Sequence, residues 1–172
     1  LETRPLLQGA RPLRFGFCGR LVDIKGVDRS LSIVARARQA GANVALDIVG
    51  SGPDEASLKQ RAADLALGDA VTFVGGMPYG PALLRRLAQC DALLFNPRME
   101  ETPRMIFDGY AAGLPLVAGG IDYVRERADA DHAAIVLPRD DDDEAVARVV
   151  ALDHDRASLV PLTQHALAAA QH

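Results

Sequence analysis

Short continuous apolar runs alternate with segments of helical period along this chain. No other feature constrains its fold as much. Residues 13–19, 43–50, 71–75, 92–96, 114–118 and 133–137 read as strands. Residues 27–40, 53–66, 81–90 and 103–112 read as helices, and 141–152 and 158–171 close the chain as two more. Strands lacking polar alternation are covered on both faces, as in a parallel sheet sandwiched by helices. Right-handed crossovers then give an α/β fold, a doubly wound parallel sheet forming one Rossmann-like domain. That domain is expected over 13–152, after a linker or arriving segment at 1–12 and before a C-terminal helix in 153–172.

Composition fits one such domain and excludes several other classes. The 172 residues are 49% hydrophobic and 24% charged, enough for a single core and unlike a disordered tail. A net charge of −4 lacks the basic footprint of a nucleic-acid binder, so no nucleic-acid partner is expected. No apolar run approaches the ~18 residues of a membrane span. Cys18 and Cys90 are too few for a disulfide scaffold, and no secretory leader opens the sequence, so a cytoplasmic location is expected. The start at Leu1 suggests part of a longer protein. Asp140–Asp143 and Glu144 suit the cap and first turn of a helix rather than a cation site. His132, His154, His165 and His172 show no ligand spacing, so no metal is assigned. Cys90 reads as core, and Cys18 as a buried thiol near the ligand-facing edge.

Ligands of doubly wound sheets bind outside the carboxyl ends of the strands. The loops there are 19–26, 50–53, 75–80, 96–102 and 119–122. The first carries Gly19, Arg20, Lys25 and Gly26. Arg20 can fork onto phosphate oxygens and Lys25 adds a mobile charge, although both also suit a solvated surface. The second, Gly50-Ser51-Gly52-Pro53, lacks the third glycine of a dinucleotide fingerprint. In the fourth, Thr102 followed by Pro103 reads as a helix cap and first turn. Amides near Arg104, Met105 and Ile106 would face the crevice with about half a positive charge. Glu100 precedes that helix and Asp108 lies inside it. Carboxylates suit sugar hydroxyls because they accept two hydrogen bonds at once. Dipole complementation is the plainer reading of Glu100 and Glu101, but it leaves Asp108 unexplained. Gly109, Ala111, Ala112 and Gly113 keep the helix thin enough to pack closely.

Taken in order, Gly-Arg-Leu…Lys-Gly, Ile-Val-Gly-Ser-Gly-Pro, Val-Thr-Phe-Val-Gly, Glu-x-x-Pro-Arg-x-x-x-acid and Ala-x-Gly-Leu-Pro-Leu-Val resemble the nucleotide-sugar half of glycosyltransferase family 4. These are the "group 1" retaining GT-B enzymes, and the resemblance runs from about Arg14 to Leu152. It implies that Arg20 and Lys25 bind the donor diphosphate, and that Gly19, Gly50 and Gly52 border the donor pocket. It also implies that Val74 and Gly75 meet the nucleobase. Glu100 takes the first acid of the family motif and would touch the transferred sugar. The amides of Glu101 and Thr102 would approach that sugar, and those of Met105 and Ile106 would hold phosphate. Asp108 takes the second acid, which grips the ribose. The chain departs from the family pattern at several positions. Asp108 stands for a usual Glu, Glu101 for a usual Gly, Thr102 for an aromatic and Tyr123 for a common Glu. The acceptor-proximal glycine is absent from 132–135.

The resemblance implies the donor-binding half of a retaining enzyme that moves a sugar from a nucleotide diphosphate sugar to an acceptor hydroxyl. It implies no cofactor and no metal. The N-terminal acceptor domain would lie outside this sequence, and any membrane association would come through it. Alone, this half is expected to be inactive. Two alternatives stand beside it. One is a non-catalytic nucleotide-sugar-binding or interaction module. The other is a dinucleotide oxidoreductase domain, which lacks its third glycine here.

Overall fold

The computed structural model describes residues 11–171. Six strands form one parallel sheet: β1 (Leu13–Cys18), β2 (Val44–Val49), β3 (Val71–Gly75), β4 (Ala92–Phe95), β5 (Leu116–Gly119) and β6 (Ala134–Leu137). Their spatial order is β3-β2-β1-β4-β5-β6. The direction of winding therefore reverses between β1 and β4, which opens a crevice at their carboxyl ends. Seven helices pack on the sheet: α1 (Val27–Gln39), α2 (Glu55–Asp64), α3 (Pro81–Leu87), α4 (Met105–Ala111), α5 (Asp122–Asp131), α6 (Asp142–His154) and α7 (Leu159–Ala169). The Rossmann-like architecture read from the sequence is the architecture found.

Central strands β2, β4 and β5 are buried along their whole length, as their almost wholly apolar sequences require. Edge strand β3 is only half covered. The one acid inside a central strand, Asp47, is held by Arg14 Nη1 at 2.6 Å and Arg86 Nη2 at 2.8 Å. A buried carboxylate without such partners would be costly. Helix α7 shares the same core through Leu159 and Ala166, both fully buried.

Residues 1–10 of the expected linker lie outside the described residues. Arg11 and Pro12 lead directly into β1, and Arg11 pairs with buried Asp91 at 2.6 and 2.8 Å. One helix escaped the sequence reading. Segment α5 buries only Val124, so it carries no apolar stripe at helical spacing. It ends where His132 adopts a left-handed conformation at φ 53°.

Candidate functional site

Two glycines fuse the loops that line the crevice. At Gly26, φ is 62° and a Cβ would lie 1.7 Å from the Asn96 carbonyl oxygen. Only glycine lets the β1–α1 loop press this closely against the β4–α4 loop. Further bonds join the same two loops. Arg98 N donates to Ile24 O at 2.9 Å, and the Arg98 guanidinium pairs with Asp23 at 3.0 Å and Asp28 at 2.5 Å. Gly50 does the same for the β2–α2 loop: a Cβ there would meet Gly19 O at 1.8 Å. Behind it, Leu21 N donates to Ser51 O at 3.0 Å, and a Cβ on Gly52 would lie 2.3 Å from Leu21 O.

The ends of β1 and β2 and the segment after β3 border a cleft of about 440 Å3 lined by Cys18, Gly19, Arg20, Val49, Gly50, Ser51, Gly52, Gly76 and Met77. Gly19, Arg20, Gly50 and Gly52 thus come together as expected from their loops. Val74 and Gly75 do not line it. They end β3, and the Gly75 carbonyl accepts from Gly50 N at 2.8 Å, which leaves the wall to Gly76 and Met77. Arg20 is exposed at the cleft, and its guanidinium has no hydrogen bond or ion pair among the described residues. On the cleft wall, the Cys18 thiol is pushed up to about 11, first by burial and then by the nearby Asp108 carboxylate.

Lys25 is placed differently. Its ammonium pairs with Glu101 across the fused loops and sits 6.0 Å from the centre of the Phe95 ring. The expected diphosphate cation is therefore already paired with the side chain of Glu101. The other carboxylate oxygen of Glu101, Oε1, is buried and accepts no hydrogen bond among the described residues.

Helix α4 begins later than 103. The Thr102 hydroxyl does not cap it, because the cap position falls two residues later, at Arg104. Ile106 N donates to Pro103 O at 3.2 Å, so the Ile106 amide is not free for a ligand as expected. Met105 N has no acceptor among the described residues. Asp108 is 8% exposed. Burial raises its carboxyl above the usual range, and Arg104, with Nε at 3.8 Å, opposes that in part. The Arg104 guanidinium also stacks on Tyr79 at 4.1 Å, linking the start of α4 to the β3–α3 loop. Gly109 lets α4 lie against β4, since a Cβ there would meet Leu93 Cδ1 at 2.2 Å.

Glu100 faces a second recess of about 460 Å3, shared with Gly120, Asp122, Arg125, Pro138, Arg139, Asp140 and Asp141. Both its oxygens accept from Asp122 N, at 3.1 and 3.0 Å, at the first residue of α5. Glu100 therefore lies at the N-terminus of α5, where a carboxylate complements the helix dipole. Arg125 and Arg139 in this recess, and Met77 and Tyr79 near the first, were not singled out from sequence. Their neighbours Gly120 and Gly75 were the available pointers.

The acidic run behaves as a helix start. Asp141 Oδ1 accepts from Glu144 N at 2.9 Å, while Asp142 and Asp143 pair with Arg29 and Arg36. Among the described residues no group of three or more His, Cys, Asp or Glu is placed to hold a metal ion. No helix among them is long and apolar enough to cross a membrane.

The family model described as "Glycosyl transferases group 1" matches residues 4–167. The chain is 28% identical over 158 residues to the amylovoran biosynthesis glycosyltransferase AmsK of Erwinia amylovora, covering 88% of this chain and 39% of that protein. It is 31% identical over 147 residues to a GDP-mannose-dependent α-(1-6)-phosphatidylinositol monomannoside mannosyltransferase of Mycobacterium tuberculosis, covering 80% of this chain and 38% of that protein. The chain thus spans about two fifths of the length of these two relatives. Anabaena HepE in complex with UDP and glucose shares the fold, with a TM-score of 0.80, 20% identity, and coverage of 95% of this chain and 44% of that one.

Proposed function

Because the chain belongs to the group 1 glycosyltransferases, we propose that it is the donor-binding half of an enzyme that transfers a sugar from a nucleotide diphosphate sugar to an acceptor hydroxyl with retention of configuration. One observation carries this reading. A glycine-walled cleft opens at the carboxyl ends of β1, β2 and β3, and an exposed arginine whose side chain has no partner among the described residues stands in it.

In this reading Arg20 receives the diphosphate, forking onto two of its oxygens. As the glycosidic bond breaks, negative charge grows on the leaving diphosphate, and a cation fixed nearby stabilises it in the transition state. The buried Asp108 carboxylate takes the ribose hydroxyls. Glu100 is oriented by the Asp122 amide and keeps lone pairs for the sugar. Gly76 and Met77, rather than Val74 and Gly75, meet the nucleobase. The acceptor and its site belong to the rest of the protein, and this half alone turns nothing over. With cations taking the charge, EDTA leaves the activity of the intact protein unchanged. Loss of activity would refute that point.

The test is calorimetric titration of the chain with UDP, GDP and ADP and their sugar conjugates. Arg20→Ala removes a charged hydrogen bond worth about 1.5–3 kcal/mol, or roughly ten- to hundredfold in affinity. Affinity unchanged by this substitution would remove Arg20 from the site.

A second reading is a non-catalytic nucleotide-sugar-binding module. Two observations favour it: the commitment of Glu101 to Lys25 and of Glu100 to α5. It predicts that the intact protein binds donor yet neither transfers nor hydrolyses it.

A further inference from the structure

We infer that Glu101 is an internal counter-anion that competes with the donor diphosphate for Lys25 and thereby sets how tightly this chain holds nucleoside diphosphates. The inference rests on the donor-binding reading above and assigns to the Glu101 side chain a role separate from that of its backbone.

The two cations of the first loop differ in availability. Arg20 is exposed and unpaired among the described residues, whereas Lys25 is bound to a carboxylate 76 residues away in sequence. The Lys25 and Glu101 side chains are only 20% and 17% exposed, so bulk water screens the pair weakly. The loops that carry them cannot easily separate, because Gly26 is pressed against Asn96 and Arg98 clamps both Asp23 and Asp28.

Glu101 nevertheless sits poorly. Its Oε1 is buried and has no hydrogen-bond donor among the described residues, so half of the carboxylate has lost water without a bond in return. A carboxylate whose two oxygens were both satisfied would resist displacement. This one regains solvation when it leaves. A diphosphate brings more charge and more acceptor oxygens to Lys25 than one carboxylate does. Exchange is therefore possible, and its cost is subtracted from diphosphate affinity. A nucleoside without phosphates draws on neither Lys25 nor Glu101 and does not incur that cost.

The experiment is a calorimetric double-mutant cycle on the 172-residue chain, with Glu101→Gln, Lys25→Met and the double variant. UDP and GDP are the ligands, and uridine and guanosine the controls. Glu101→Gln is expected to tighten diphosphate binding at least about fivefold, equivalent to ~1 kcal/mol. The gain should disappear in the Lys25→Met background and be absent for the nucleosides. An unchanged or weaker affinity in Glu101→Gln overturns the inference while leaving the donor-binding reading intact. So does a gain that survives Lys25→Met. If neither the parent chain nor Glu101→Gln binds any diphosphate, the donor-binding reading itself fails, and this inference with it. Should Glu101→Gln not fold by circular dichroism, Glu101→Gly takes its place in the same cycle.

Discussion

A single methyl group at Gly26 tests whether the two loops of the crevice act as one body. The added Cβ of Gly26→Ala would start 1.7 Å from Asn96 O, about 1.6 Å short of a tolerable ~3.3 Å carbon–oxygen contact. Asn96 has little room to retreat: it is 1% exposed, and its side-chain amide donates to Ser30 Oγ at 2.9 Å. Two costs follow. A left-handed backbone at a non-glycine residue costs ~1–2 kcal/mol. Forcing the contact apart costs a further ~1–3 kcal/mol, as other overpacked sites do. Gly68→Ala supplies the control, because Gly68 is also left-handed at φ 49° but has nothing within 4 Å of its ideal Cβ. Urea denaturation should therefore show Gly26→Ala less stable than Gly68→Ala by about 1–3 kcal/mol. Calorimetry should show that Gly26→Ala alone loses nucleoside diphosphate affinity. Equal destabilisation in the two variants, or full affinity in Gly26→Ala, would refute the argument that the loops are welded there.

Two titratable groups give further checks. With its thiol pushed up to about 11, Cys18 should react slowly with iodoacetamide near neutrality, its rate should keep rising beyond pH 9, and saturating diphosphate should protect it. A rate that levels off near pH 8.5 would show an ordinary exposed thiol. Asp108 has a folded pKa raised above 3.8, so the folded state binds the proton more tightly than the unfolded one. Its contribution is favourable below 3.8 and is lost as pH rises through the raised value. Asp108→Asn should accordingly be more stable than the parent at pH 7 in urea melts, with the two converging below pH 3.8, and a parent more stable at pH 7 would refute the sign.

The fold was legible because burial on both faces leaves its mark on composition. Strands such as β2 and β4 carry nothing that could face water apart from Asp47, and helices α1 and α6 begin within one residue of where their patterns start. The boundaries that moved did so for local reasons. Pro53 and Pro103 mark turns that precede α2 and α4 rather than their first helical residues. Helix α5 was invisible because its order comes from outside it: a carboxylate 22 residues earlier holds its first amide. Its own side chains bury almost nothing. Periodicity reports what a segment buries, and it is silent on a segment held by its ends.

The site was legible as a set of loops but not as a set of pairs. Gly50 and Gly52 could be picked out because close backbone approach leaves only glycine as a solution, and the structure puts both against the β1–α1 loop. Charges carry no such constraint. Glu100 and Glu101 are neighbours, yet one reaches forward to Asp122 and the other back to Lys25. Adjacent acids in this loop thus find partners in different elements. The fold, not the spacing, chooses which. Two carboxylates that look interchangeable in sequence thus do different work: Glu100 anchors a helix beside one recess, and Glu101 neutralises a cation of the adjoining loop. The cations diverge in the same way. Arg20 and Lys25 lie five positions apart in one loop, yet Lys25 is paired with Glu101 while the Arg20 side chain has no ion pair among the described residues.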